Sequence, residues 1–97
     1  MTTLEMMMEH YSEALEELMD AQKYAKMMSH ATTPDEKSMY RTLSRQELEH
    51  EAMLCKSVAA MVNERSEPML QDVWHHLKKH LMNWRGDIER HLAEYDK

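Results

Sequence analysis

The chain has 97 residues, a net charge of −6 from 12 basic and 18 acidic residues, one glycine, two prolines and no phenylalanine. That length makes one small domain, near the size at which a chain struggles to bury enough surface alone. The acidic balance, without a basic tract, excludes nucleic acid as the expected partner, and no apolar run approaches the ~20 residues of a membrane span.

Met, Leu, Glu, Ala and Lys dominate, all good helix formers, so the expected class is all-α. The N-terminus has no charged-then-apolar leader pattern. The single cysteine, Cys55, has no intrachain disulfide partner, which fits a cytoplasmic protein. Cys55 lies among Leu54, Val58 and Ala59 and reads as core packing, not as a nucleophile.

Two prolines divide the chain. The first predicted helix runs from about 4 to 31 and stops at Ala31-Thr32-Thr33-Pro34. The second, from about 34 to 64, opens with Thr33 as N-cap, Pro34 in the first helical position and Glu36 closing a capping box. The break at Ser66-Glu67-Pro68 lets Ser66 or Glu67 cap a third helix, from about 68 to 95, in which Gly86 is a point of bending or fraying. With breaks this short the chain reads as a single domain, 1 to 97.

Each helix carries an apolar stripe at spacings of three and four. The third reads Leu70, Val73, Leu77, Leu81, Trp84, Ile88, Leu92, Tyr95, which is ordinary packing. The first reads Met7, His10, Ala14, Glu17, Ala21, Tyr24, Met28, and the second Tyr40, Leu43, Glu47, His50, Leu54, Met61. Ionisable side chains interrupt both where the pattern asks for apolar ones.

A short turn folds the first two helices back antiparallel, so residues equally far from it sit level. Glu17 lies fifteen or sixteen positions before the turn, and Glu47 and His50 lie about fourteen and seventeen after it. Glu47 and His50, three apart, project from one face, in the Glu-x-x-His spacing with which helical bundles bind di-iron or di-manganese centres. Two unpartnered carboxylates in one apolar seam would repel each other, which argues for a cation between them. A complete dinuclear site takes four carboxylates and two histidines from four helices. This chain offers half, so a second copy related by a two-fold axis is expected to complete both the site and a four-helix bundle.

Glu16-Glu17-Leu18, Tyr24, the short turn and Glu47-Leu48-Glu49-His50-Glu51-Ala52-Met53 resemble the ferritin-like superfamily, most closely the encapsulated ferritins and more distantly the rubrerythrins. The resemblance covers roughly residues 12 to 62. It implies a ferritin-like helical hairpin plus a third, C-terminal helix. By that resemblance Glu17, Glu47 and His50 ligate two irons or manganese ions, with Tyr24 beside them, at a ferroxidase centre between two subunits. The homodimers of that family assemble further into a ring. Where the family has an acidic metal-uptake residue two positions after Glu17, this chain has Met19, and Lys23 stands where an aromatic is expected before Tyr24. The chain closes on His91-Leu92-Ala93-Glu94-Tyr95-Asp96-Lys97 without a docking tail, so packaging in an encapsulin shell is not expected.

Other groups have plainer readings. Asp72, His76 and His80 recur every four residues in a possible second metal patch, but read more simply as a solvated face. His10 is placed for an ancillary ion or, more simply, as a core or rim histidine. Tyr24 and Tyr40 share a level, suited either to electron relay and ligand hydrogen bonding or to core packing. The 12 methionines are adaptable core filler more than a copper site, and Glu13, Glu16, Glu49 and Glu51 read as solvated faces. The functional expectation is Fe(II) oxidation by dioxygen, and the alternative is a non-catalytic helical assembly protein with a structural or vestigial metal.

Overall fold

The computed structural model describes residues 1–94; Tyr95, the last member of the predicted third stripe, lies outside the described residues. The chain is all-helical: α1 spans Thr3–His30, α2 Pro34–Arg65 and α3 Pro68–Glu94. No helix among the described residues is long and apolar enough to cross a membrane.

Local chemistry sets each boundary. Thr2 caps α1 in a reciprocal capping box with Glu5. The Thr33 hydroxyl accepts from the Glu36 amide, with Pro34 behind it in the first helical turn. Ser66 closes α2 and does not open α3. It adopts the left-handed conformation at φ 53°, ψ 31°, its amide bonded to the Val62 carbonyl. Gly86 does not interrupt α3, which continues through it to Glu94.

Helices α1 and α2 form a long antiparallel hairpin. Its seam is lined by Ala14, Ala21 and Ala25 on α1 and Ser44 on α2, all buried. Such small residues let the two backbones approach closely. At the centre the fully buried Ser44 hydroxyl donates to the Ala21 carbonyl at 2.7 Å, one buried hydrogen bond between the two helices. The stacked rings of Tyr24 and Tyr40, 6.5 Å apart, keep the same register toward the turn.

Helix α3 runs parallel to α1 and antiparallel to α2. Trp84 Nε1 donates to Gln22 at 3.2 Å, and His91 Nε2 meets the Ser29 hydroxyl at 2.8 Å, two pairs with the same offset in sequence. Arg85 reaches across to α2, donating to the Leu48 carbonyl at 2.9 Å. Leu70, Trp74, Leu81, Ile88 and Leu92 supply the buried face of α3. Trp74 is an addition to the predicted stripe, while Val73, Leu77 and Trp84 are only partly buried.

The buried line of α2 is Ser44, Leu48, Glu51, Val58 and Val62. It is displaced by about one residue from the predicted stripe, whose members Tyr40, Leu43, Glu47, Leu54 and Met61 are half-buried and whose His50 is exposed. At about 100° per residue, that displacement turns the predicted stripe from the centre of the seam to its rim.

Replacing Ser44 tests the seam. Ser44→Ala removes one buried hydrogen bond and should lower unfolding free energy by about 1 kcal/mol. Ser44→Leu forces the backbones apart and should lower it by about 1–3 kcal/mol, both read from urea unfolding. A Leu variant as stable as the parent would show that close approach at this level is not required.

Candidate metal site

Glu17 on α1 and Glu47 and His50 on α2 come together, each offering one donor atom within 4.8 Å of the others. The register set at Ser44 and Ala21 causes this, because Glu17 precedes Ala21 by one turn while Glu47 and His50 follow Ser44 by one and two. His50 Nδ1 stands 3.5 Å from Glu17 Oε2 and 4.0 Å from Glu47 Oε1. Donors bound at about 2.1 Å to one ion are at most about 4.2 Å apart, so these two separations fit a shared cation without rearrangement.

The electrostatics point the same way. Glu17 Oε2 is buried and has no hydrogen-bond partner. The Glu47 carboxyl is pushed up to about 7, first by its hydrogen bond to Glu17, then by burial and by the Glu17 charge, with His50 opposing. The Glu17 carboxylate beside it thus disfavours the charged form of Glu47. The donor set, two carboxylate oxygens and an imidazole nitrogen, suits Fe(II), Mn(II) or Zn(II). Glu17 and Glu47 side chains are 27% and 21% exposed and His50 56%, so the trio is reached from one open side.

That side faces away from α3. Contacts to α3 come from Gln22 and Ser29 on α1 and from Leu48 and Glu51 on α2. The cavity over Glu17 and His50 is lined only by α1 and α2 residues, namely Glu13, Met53, Leu54 and Ser57 besides the two ligands.

Among the described residues this trio is the one group of three acidic, histidine or cysteine side chains with metal-binding geometry. Asp72, His76 and His80 are exposed and are not brought together in such a group. His10 is half-buried with its Nδ1 unpartnered, outside the trio. Tyr24 is half-buried against Tyr40. Of the twelve methionines, Met7 and Met28 are fully buried, whereas Met19, Met53 and Met82 are among those exposed, so core filling accounts for only some of them.

Glu51 overturns its sequence reading. Instead of a solvated residue it is 2% exposed, and Arg85 Nη1 holds its Oε1 at 2.6 Å. Arg85 also bonds Glu89 at 2.5 Å, and the Cys55 thiol donates to Glu51 Oε2 at 3.2 Å. Burial, then the Glu51 hydrogen bond and charge, push the Cys55 thiol up to about 12, so it stays protonated and is no nucleophile. The signal was present in the sequence. Glu51 follows Leu48 by three and precedes Cys55 by four, and Arg85 follows Leu81 by four, so both interrupt core faces. Glu13, Glu16 and Glu49 are exposed as expected.

No family model matches the chain, and no curated protein or solved structure matches it.

Two predictions follow from the contrast between these carboxylates. Arg85→Met strands a buried charge and should cost about 3–5 kcal/mol, whereas Arg85→Met combined with Glu51→Leu should recover most of that loss in chemical denaturation. A double variant no more stable than the single one would deny the pairing any role. For Glu47, the folded-state value lies above the model-compound 4.5. The metal-free protein should then be most favoured below about pH 4.5 by this group and lose that contribution as pH rises through about 7. Glu47→Gln should flatten that part of the pH–stability curve, and an unchanged slope would refute the assignment.

Proposed function

We propose that the chain is a metal-binding protein of the carboxylate class. Glu17, Glu47 and His50 form half of a dinuclear centre that a second copy completes, and Fe(II) is the substrate of an oxidase reaction. The observation that carries the reading is the convergence of the three donor atoms within 4.8 Å on an edge that α3 leaves open. The resemblance of these positions and Tyr24 to an encapsulated-ferritin centre supplies the reaction class.

Three protein donors leave a six-coordinate cation with open positions, which suits substrate access in place of structural closure. The balance is simple: two Fe(II) each give up one electron, and dioxygen takes both with two protons to leave as hydrogen peroxide. Iron, or manganese in the same donor set, supplies the redox chemistry when bound. The chain's own residues do the rest. Glu47 would lose its proton as the cation enters, Glu17 would supply the second carboxylate and His50 the neutral nitrogen, while the Tyr24–Tyr40 stack lies two turns away toward the hairpin turn.

Surface area supports a partner copy. The chain exposes 6526 Å², whereas a monomer of this mass exposes about 5,800 Å². The difference approaches the ~800 Å² that each partner contributes to a standard interface. Half-buried Leu43, Leu54 and Met61 share the rim with the ligands and give that surface an apolar component. A homodimer is the smallest assembly this reading allows, and a ring of dimers is compatible with it.

Anaerobic titration with Fe(II), followed by oxygen, tests the reading. The parent chain should consume one O2 per two Fe(II), with ultraviolet absorbance of Fe(III) rising rapidly. Glu17→Ala or His50→Ala should abolish the fast phase while leaving helical circular dichroism intact, and Tyr24→Phe should slow it modestly. If Glu17→Ala oxidises Fe(II) as fast as the parent, the alternative of a non-catalytic helical assembly protein takes its place.

A further inference from the structure

The cavity beside the ligand trio has a volume of about 380 Å³ and is walled by Glu13, Glu17, His50, Met53, Leu54 and Ser57. Met53 is the one thioether among those walls. It follows His50 by three on α2, a spacing that puts both side chains on one face with Cβ atoms ~5–6 Å apart. Met53 is 67% exposed, and Met69 on α3 matches it at 66%. Met19 and Met82 are exposed too. Met69 and Met82 belong to α3, which leaves the metal-site edge uncovered. Met19 stands two positions after Glu17, a spacing at which helical side chains do not face each other. None of these three lines the cavity. Exposure therefore does not set Met53 apart from them, whereas its place beside the trio does.

We propose that Met53 is an oxidation site served by the metal centre, where hydrogen peroxide held beside the trio passes one oxygen atom to the Met53 sulfur. The proposal rests on the metal-site reading above and on the peroxide that its reaction releases. A sulfur lone pair attacks one peroxide oxygen, the O–O bond breaks and an S–O bond forms. The second oxygen leaves with both protons as water, so sulfur is oxidised by two electrons and the peroxide reduced by two. Free peroxide meets exposed thioethers in proportion to their exposure and gives Met53 no advantage over Met69. Peroxide held at the trio is different, because coordination polarises its O–O bond and fixes it within reach of one sulfur. Three rotatable bonds let the Met53 side chain bring that sulfur toward His50. The product is a sulfoxide, a polar group beside half-buried Leu54 that methionine sulfoxide reductases return to the thioether. Turnover thereby makes the open edge more polar, and enzymatic reduction restores it.

Peptide mass spectrometry of the full chain, counting the oxygen added at each methionine, tests this. Metal-free and Fe(II)-loaded protein receive the same small amount of hydrogen peroxide under anaerobic conditions. In the metal-free chain Met53 and Met69 should oxidise to similar extents. In the iron-loaded chain Met53 should gain on Met69 by roughly tenfold or more, a small share of what fixed proximity can deliver. Glu17→Ala, treated with the same iron and peroxide, should return the ratio to its metal-free value. An iron-loaded ratio equal to the metal-free one overturns the proposal, as does an enrichment at Met53 that survives in Glu17→Ala. Bound iron is measured in the same samples. If the parent holds iron without enriching Met53 oxidation, the oxidation site alone fails. If the parent holds no iron, the metal-site reading falls and this proposal falls with it.

Discussion

The register of the α1–α2 hairpin governs everything else in the molecule, and small side chains and the buried Ser44–Ala21 hydrogen bond hold it at one level. Ala14, Ala21, Ala25 and Ser44 allow the backbones to approach, and the Ser44 hydroxyl uses that proximity to reach the Ala21 carbonyl at 2.7 Å. A helix that slides by one turn moves its side chains by about 5.4 Å. That displacement exceeds the 4.8 Å within which the donor atoms of Glu17, Glu47 and His50 now lie. The convergence of these three donors is therefore a consequence of seam packing about one turn away, not of contacts among the donors themselves.

The hairpin has two edges, and they solve the problem of a buried carboxylate in opposite ways. On the edge covered by α3, Glu51 is permanently neutralised by Arg85 and further satisfied by the Cys55 thiol. On the open edge, among the described residues, the group seen beside Glu17 and Glu47 is the His50 imidazole, not an arginine held in place as on the covered side. The first arrangement is a closed structural pair that holds two helices together. In the second, the neighbouring carboxylate and burial raise Glu47 to about 7, a repulsion that a bound divalent ion would relieve. Acidic residues of one helix, four positions apart, thus take different roles because α3 covers only one side.

Much of this could be read from the sequence. Pro34 and Pro68 fix where the helices begin, and counting outward from the turn brings Glu17 level with Glu47 and His50. The placement of α3 could not be read that way. Periodicity locates a stripe to within about one residue, and on α2 that margin separates the rim, with Glu47 and His50, from the buried line with Glu51. Ser44 and Glu51 are polar, so hydrophobic patterning assigned the core to their neighbours. Which polar residue is buried depends on its partner, and Arg85 is thirty-four residues distant along the chain. Ser66 shows the same limit locally: a residue type suited to opening a helix instead closes one in a left-handed conformation.

If the trio is half of a centre that a second copy completes, as proposed, a thermodynamic consequence follows. Metal affinity and dimer affinity then become linked quantities, because each depends on donors that the other brings into place. Whatever factor the metal adds to association, association adds to metal binding. The Glu47 proton enters the same linkage, since it must leave before the carboxylate can ligate. Raising the pH through about 7 removes that competitor. In the proposed assembly this would strengthen metal binding and, through the metal, association of the two open edges. The covered edge, with Arg85 already in place, contributes nothing to this coupling. With one edge closed and one open, the proposed metal-linked association would then be confined to the open surface.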